Sequence, residues 1–235
     1  MAFSREQYQS FLTGLQERGY KFRTFEKSWF DKFELLLRHD VDFSVSKARE
    51  MAEIEALLGA RSTYFFQVNA YFYNVFHEDV RGDIIRIKEL GHEVSLHFDS
   101  DRNGMCPEDV KQCLLNEIGI FEQLFNTKIE TISLHRPKKA GVPAFIGEVC
   151  KHTYQSAFTD DLAYFSDSRG VWRHGDPLEQ SEYSNGDAMQ ILVHPIWWMN
   201  NASSNSKDIL KKFLEQQKTE LSKAVIGNVD FIDSF

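Results

Sequence analysis

Four short segments of this chain carry side chains that bind metals or move protons, and each segment closes an apolar run. Carboxylates and imidazoles at the carboxyl ends of several parallel strands are typical of the catalytic face of an α/β barrel. The pattern therefore indicates a metal-assisted hydrolytic site. The segments are Arg-His-Asp-Val-Asp at 38–42, Gly-His-Glu-Val-Ser-Leu-His-Phe-Asp at 91–99, Ser-Leu-His-Arg-Pro at 133–137 and Leu-Val-His-Pro at 192–195.

Asp40 and Asp42 are the two carboxylates of the first segment. They follow the apolar residues 35–37, and two residues apart on an extended chain they point to the same side. A catalytic metal needs two or three fixed protein ligands and an open position, which makes Asp42 a candidate ligand. Asp40, on the same face, is then the candidate general base. The competing interpretation is a pair of acids in a solvated turn.

His97 is the candidate ligand of the second segment. His92 and His97 lie on opposite faces of an extended segment, so they do not serve as joint ligands, and His97 is nearer the strand end. His92 is interpreted as a structural, hydrogen-bonding histidine. A turn or loop could also fold Asp99 or Asp101 back toward a metal, although both could equally cap a helix or lie on the surface.

The last two segments offer further groups for the same site. His135 supplies an imidazole, and the guanidinium of Arg136 can orient a carboxylate or hold a substrate anion. His194 could protonate a leaving amine, provided that Asp167 holds its tautomer. The alternatives are a packing role for His135 and Arg136 and a turn acid beside Gly170 for Asp167.

Aromatic residues beside these segments suit a sugar-binding cleft, since sugar rings lie against aromatic faces. More often such residues belong to the core. The Trp-Trp pair that follows His-Pro is the most suggestive, because it is placed in a loop beside a candidate catalytic group. The aromatic residues concerned are Tyr71, Phe72, Tyr73, Trp172, Trp197 and Trp198.

Predicted strands and helices alternate along the chain, as a mostly parallel sheet with right-handed crossovers requires. The sequence thus predicts an α/β fold with about seven parallel strands and surrounding helices. The strands are predicted at 33–40, 62–68, 93–98, 129–135, 154–158, 163–166 and 189–194. The helices are predicted from about residue 3 to Gly19 and at 44–58, 79–90, 107–125 and 206–223, with a polar loop at 200–206.

Size and composition are compatible with one globular domain over residues 1–235, in which 1–32 form an N-terminal helical extension packed on the barrel. The net charge of -8, without a Lys/Arg run, argues against a nucleic-acid partner. No stretch reaches the roughly 18 apolar residues of a membrane span, and the first residues show no secretory pattern. Three cysteines without C-x-x-C spacing indicate free thiols rather than a disulfide framework or a cysteine zinc site, so we expect a cytoplasmic protein.

Taken in order, the four segments resemble the polysaccharide deacetylase family of carbohydrate esterases, from about residue 35 to 198. The resemblance implies a single-domain irregular (β/α) barrel and a metal-dependent removal of acetyl groups from N-acetylated sugars. By matching position, Asp40 would be the base and Asp42 a metal ligand, in the Asp-x-Asp version that some members use. His97, after the Gly-His-Glu lead-in, falls on the family's first metal histidine.

The later motifs also match in order. Arg136 and Pro137 resemble the arginine–proline motif that orients the base. His194 resembles the general acid, and Asp167 the carboxylate that steadies it.

The chain departs from the family at one metal ligand, since Asp101 stands where the family has its second metal histidine. We expect His135, from the next strand, to complete an Asp-His-His set, because a neutral imidazole suits zinc. Asp101 is the second alternative and Asp99 the third. Zinc is the metal expected first, with iron, cobalt or nickel as alternatives.

The resulting hypothesis is a deacetylase acting on an amino sugar or nucleotide sugar in bacterial surface polysaccharide or lipopolysaccharide biosynthesis. One alternative is hydrolysis of another amide, cyclic or formyl, because a fold does not fix its substrate. Another is a metal-free sugar-binding or scaffold protein on the same barrel. The presence of both a base and an acid favours the enzyme, because a binding protein needs neither.

Overall fold

The computed structural model describes residues 3–101, 105–137, 141–200 and 205–229. The strands are β1 (Lys21–Arg23), β2 (Glu34–Val41), β3 (Thr63–Phe66), β4 (Glu93–Asp99), β5 (Thr131–His135), β6 (Lys151–His152), β7 (Ala163–Ser166) and β8 (Met189–Val193). The helices are α1 (Arg5–Glu17), α2 (Val45–Leu57), α3 (Glu78–Glu89), α4 (Pro107–Phe125), α5 (Ala144–Val149), α6 (Ser156–Thr159), α7 (Ser181–Asn185), α8 (Pro195–Trp198) and α9 (Ser206–Asn228).

The strands form one sheet in the order β6-β5-β4-β3-β2-β8-β7, and every pair is parallel. β1 pairs in parallel with the first half of β2, which leaves the second half of that side to β3. Within the described ranges the end strands β6 and β7 are not paired with each other. The predicted irregular (β/α) barrel is therefore confirmed, with a seam between its two end strands.

β2 shows how the sequence builds the interior. All eight of its residues are buried, and alternate side chains point to opposite faces. Leu35, Leu37 and Val41 join the large core under the helices. Leu36 instead faces the barrel interior, in a small cluster with Phe25, Phe65, Phe158 and Leu162. The polar residues that follow at every second position therefore rise from the apolar floor toward the mouth of the barrel.

A buried carboxylate fixes the outer face of β2 to the helices. Glu55 of α2 accepts hydrogen bonds from the hydroxyls of Tyr8, Ser62 and Tyr64, at 2.9 Å for Tyr64. Its Oε1 also lies 2.7 Å from Nε2 of His39 on β2. These contacts join α1, α2, β2 and β3 through one side chain. His92 Nδ1 lies 3.0 Å from the Ser62 hydroxyl and its Nε2 lies 3.0 Å from the Ala52 carbonyl, which is the structural role expected of it.

Glu55 should make the stability of the fold sensitive to acid. Burial alone would raise its pKa, but His39 and the hydrogen bonds hold the pKa at about 2, below the ordinary 4.5. The stabilisation, about 3 kcal/mol, is therefore present above pH 4.5 and lost as the pH falls toward 2. In urea titrations the free-energy difference between the parent and Glu55→Gln should shrink over that interval. A difference that stays constant from pH 7 to pH 3 would contradict this assignment.

The structure corrects one strand and adds several short elements. The strand predicted at 154–158 is wrong, since Ser156–Thr159 form a helix and the strand lies earlier, at Lys151–His152. Tyr154 and Phe158 are four residues apart, a spacing that also fits a helical turn, and so short an apolar run does not separate the two periods. The strand β1 and the helices α5, α7 and α8 were not predicted. The loop predicted at 200–206 lies partly outside the described residues.

The predicted opening helix is confirmed and packs on the core. Ser4 caps α1, and its apolar face is buried against Trp198 and neighbouring rings. The division of the chain into a barrel and a 1–32 extension remains a prediction. No helix in the described ranges is long and apolar enough to cross a membrane. All three cysteines are free, as expected.

Candidate metal centre

The parallel register places the predicted site residues at one edge of the sheet. Val41, Phe66 and Leu96 are neighbours across β2, β3 and β4. The residues that follow them are Asp42, Gln67 and His97, so three polar side chains emerge side by side. On the next strand His97 is paired with Ser133, and His135 follows two residues later on the same face.

Asp42, His97 and His135 form a group that could hold a metal ion. Asp42 Oδ1 lies 3.2 Å from His97 Nε2 and 3.1 Å from His135 Nδ1, and the two histidine nitrogens are 3.2 Å apart. Tetrahedral ligands at the usual zinc distances are separated by about 3.3 Å, so the donor set fits such an ion. Burial would raise the pKa of Asp42, but its contacts with His135 and His97 hold that pKa well below its usual range, so the carboxylate is ionised.

Ser133 fixes the orientation of His97. Its hydroxyl donates to Asp40 Oδ1 at 3.0 Å, accepts from the Arg38 guanidinium, and lies 3.0 Å from His97 Nδ1. Because the single hydroxyl proton is already donated, His97 Nδ1 must be the donor in the last contact. Nε2 is then left with its lone pair facing Asp42 and His135, which is the state that a metal-binding imidazole needs.

Asp40 is buried beside this group and held by Arg38, two residues earlier on the same face of β2. Arg38 donates two parallel hydrogen bonds to the carboxylate, at 2.9 and 2.7 Å, and is itself fully buried above Phe65 and Tyr154. Burial would raise the pKa of Asp40, but Arg38 and His97 outweigh it, so the pKa is lowered. Asp40 is therefore an ionised carboxylate, 3.8 Å from His97 Nε2, that can accept a proton.

Arg136 does not have the partner that the family resemblance implies. Its side chain is 68% exposed and donates to Asp99 at 3.0 Å, while Arg38 contacts the base. The physical reason is that Arg136 follows the last residue of β5 with a positive φ of 47°, and its side chain leaves the sheet for solvent. Orientation of Asp40 by Arg136 is thus corrected to orientation by Arg38.

Arg38 and Arg136 should therefore differ sharply in their contribution to stability. Arg38→Met leaves a buried carboxylate without its partner and should lower the free energy of unfolding by about 3–5 kcal/mol. The exposed pair of Arg136 with Asp99 is worth less than about 1 kcal/mol, so Arg136→Ala is the matched control. Urea titration measures both, and Arg38→Met/Asp40→Asn should recover part of the loss. Equal losses in the two single variants would refute the assignment.

His194 and Asp167 form a second hydrogen-bonded pair across the group. Asp167 is fully buried and receives His194 Nδ1–H at 2.6 Å, the His194 backbone N–H at 3.1 Å and the Trp198 indole N–H at 2.8 Å. Nε2 of His194 points the other way, 3.9 Å from Asp42 Oδ2. Burial lowers the pKa of His194, but Asp167 and then Asp42 raise it to about 9. The imidazole can therefore deliver a proton from Nε2.

The sequence reasoning missed three residues that complete the site: Arg38, Gln67 and Ser133. The amide of Gln67 donates to Asp42 Oδ1 at 3.1 Å and lies 3.4 Å from His135 Nδ1. Spacing could have revealed all three residues. Arg38 and Ser133 stand two residues before Asp40 and His135 on the same strand faces, and Gln67 directly follows β3 at the same edge.

The other candidate ligand and cleft residues lie outside the Asp42–His97–His135 group. Asp99 pairs with Arg136 and its carboxylate also accepts the Asp101 backbone N–H at 2.9 Å, so residues 99–101 form a local turn. Two of the six suggested aromatic residues have structural contacts. Trp198 is buried in the core, where its indole N–H donates to the Asp167 carboxylate, and the Tyr73 hydroxyl donates to the Val41 carbonyl at 2.7 Å. The predicted site residues other than Asp167 line a cleft of about 1010 Å³, whose aromatic lining includes Tyr71, Phe72, Tyr154, Tyr164 and Trp197.

Comparison with known proteins identifies the fold. No protein-family model and no curated protein sequence matches the chain. A similar solved structure is the Streptococcus pyogenes deacetylase PplD in complex with acetate, with 12% identity and a TM-score of 0.51; the alignment covers 89% of this chain and 86% of that one. The chain therefore has the fold of a polysaccharide deacetylase, as the sequence predicted.

Two further solved structures are similar at the same level of identity. The peptidoglycan deacetylase PdaC from Bacillus subtilis is 12% identical with a TM-score of 0.49, over 83% of this chain and 96% of that one. A family 4 carbohydrate esterase from Bacillus anthracis is 12% identical with a TM-score of 0.48, over 90% and 86%.

Proposed function

We propose that this chain is a metal-dependent hydrolase that removes an N-acetyl group from an amino sugar. The observation that carries the proposal is the arrangement in one cleft of the Asp42–His97–His135 group with an ionised carboxylate and a protonated imidazole, each within 4 Å of it. A binding protein would need neither the arginine-held Asp40 nor the aspartate-held His194. The shared fold with a deacetylase adds support.

Each residue has a role in amide hydrolysis that follows from its contacts. When bound to Asp42, His97 and His135, a divalent ion, which we propose is zinc, would polarise the acyl carbonyl and acidify water. Asp40 takes the proton from the attacking water, whose oxygen bonds to the acyl carbon. Nε2 of His194 gives its proton to the departing nitrogen as the carbon–nitrogen bond breaks. The products are the carboxylate and the free amine.

The finer parts of the proposal rest on the sequence. A nucleotide sugar or another precursor of surface polysaccharide or lipopolysaccharide is the proposed substrate. Three free cysteines, typical of a reducing compartment, support a cytoplasmic location.

The test is acetate release from a panel of N-acetylated sugars by protein whose metal content is measured in the same preparation. We expect about one zinc, iron, cobalt or nickel per chain and release that stops on chelation and returns with metal. A metal-loaded protein that is inactive on this panel but hydrolyses formyl or cyclic amides would still be a hydrolase, acting on another amide. Protein that binds no metal on titration would overturn the proposal in favour of a sugar-binding protein.

A further inference from the structure

Four basic side chains line the cleft that opens from the metal centre: Arg136, Arg169, Arg173 and Lys207, which we call the basic rim. All four are exposed, whereas the acids that line the cleft, Asp40 and Asp42, lie at its floor. We propose that the basic rim binds a phosphate or diphosphate group, so that the substrate is a phosphorylated amino sugar. This inference rests on the proposed function and names its substrate class.

The charge at the rim is opposite to that of the chain as a whole. The protein has 35 acidic against 27 Lys and Arg residues, and a net charge of -8. A generic surface of this protein would carry more acids than bases. The rim instead carries four basic side chains, and the only two acids among the described lining residues lie at the floor. Positive potential is therefore concentrated where a ligand enters.

Three of the four charges are not neutralised within the described part of the chain. Arg136 is paired with Asp99, but Arg169, Arg173 and Lys207 form no ion pair among the described residues. An arginine fork matches phosphate oxygens in two parallel hydrogen bonds, and a lysine adds a point charge. Three cations without an ion-pair partner among the described residues match a diphosphate better than a single carboxylate, which would leave most of the charge unmatched.

The rim is built on the same turn that holds the proposed general acid. The backbone carbonyl of Asp167 accepts the Gly170 backbone N–H at 2.8 Å, which closes a turn around Arg169. Gly170 has a φ of +71°, and a Cβ there would lie 2.6 Å from Cβ of Ser206, so the turn rests against the start of α9. Arg169 and Lys207 therefore come from adjoining segments: Arg169 lies two residues after Asp167, and Lys207 directly follows Ser206 at the start of α9.

Backbone conformation also marks the rim. Four described non-glycine residues have a positive φ, and two of them are Arg136 at 47° and Arg169 at 67°. Such conformations are uncommon for arginine and persist where the surrounding structure imposes them. Both bring a guanidinium to the cleft. Beside them the aromatic rings of Tyr71, 91% exposed, and Phe72 offer faces for a sugar or a base.

The experiment compares N-acetylated amino sugars that carry no anion, a phosphate, a diphosphate ester or a carboxylate. Calorimetry would measure binding of methyl N-acetylglucosaminide, N-acetylglucosamine 1-phosphate, UDP-N-acetylglucosamine and N-acetylmuramic acid to the metal-loaded protein. The rim variant is Arg169→Gly/Arg173→Ala/Lys207→Ala, in which glycine tolerates the positive φ. The matched control, Arg81→Ala/Lys212→Ala/Lys218→Ala, removes three exposed charges that do not line the cleft. Acetate release is measured on the same ligands.

We expect the parent and the control to bind the phosphorylated sugars at least about tenfold more tightly than the neutral one, and the rim variant to lose that preference. Equal binding of neutral and phosphorylated sugars by the parent would overturn the inference, as would a preference retained by the rim variant. Equal affinity for N-acetylmuramic acid would overturn the assignment to phosphate. Acetate release without the preference would leave the proposed function intact, and the preference without acetate release would leave the subsite and remove the proposed function.

Discussion

Asp42→Ala is expected to lose metal and hydrolytic activity together. Asp42 Oδ1 faces both histidine nitrogens, at 3.2 and 3.1 Å, so its removal takes away one of three ligands and leaves two imidazoles. Changes outside the ligand shell already cost 10–100-fold in metal affinity, so this loss should exceed about 100-fold. Elemental analysis after gel filtration and an acetate-release assay measure the two effects on one sample.

The control for this variant is Asp101→Ala, because Asp101 occupies the position of the rival ligand. Asp101→Ala is expected to keep its metal, whereas His135→Ala is expected to lose it. The reverse result would mean that the third ligand is Asp101 rather than His135. Asp42→Ala protein that retains stoichiometric metal would refute the assigned centre.

His194→Asn is expected to lower kcat for amide hydrolysis by about 10²–10⁴-fold while metal content stays unchanged. The reason is that an amine leaves only when its nitrogen is protonated, and Nε2 of His194 is the donor oriented by Asp167. Asp167→Asn should give a loss in the same direction, because the amide lacks the negative charge that raises the pKa of His194 and its NH₂ group would face one of the two N–H donors, His194 Nδ1 or Trp198 Nε1.

An ester with a good leaving group separates this role from a structural one. p-Nitrophenolate departs without a proton, so His194→Asn should hydrolyse p-nitrophenyl acetate within about tenfold of the parent. Asp42→Ala should lose hydrolysis of both the amide and the ester. Equal losses of amide and ester hydrolysis by His194→Asn would show that the residue supports the metal centre rather than the leaving group.

Much of the centre could be predicted because chemistry and strand ends coincide in the sequence. Because side chains alternate between the two faces of a strand, Asp40 and Asp42, two residues apart, were expected on the same face, and both line the cleft. His135 lies beside His97, because β5 lies beside β4 and its second polar residue reaches the same edge. Which strands are neighbours is a long-range property, and a local pattern does not encode it.

The errors arose where a role depended on side-chain direction. Arg136 was assigned to the base from its motif, but its backbone leaves the sheet at that residue and the buried Arg38 takes the contact. Because arginine is seldom fully buried without a partner, an arginine in a strand sequence suggests an edge or surface position. The partner was Asp40, two residues away, and the pair became recognisable only once the face of β2 that carries both residues was seen to be interior.

The three proposed ligands lie in or directly after three different strands, and this makes metal loading a measure of correct strand pairing. A shift of β5 by one residue against β4 would turn His135 to the opposite face, and the ion would lose a ligand. An ion that binds only the native arrangement stabilises it by an amount that grows with its concentration, about 4 kcal/mol at a thousand times the dissociation constant. Metal binding would thus favour the native register over competing strand pairings. This matters in a sheet whose described end strands, β6 and β7, are not paired with each other.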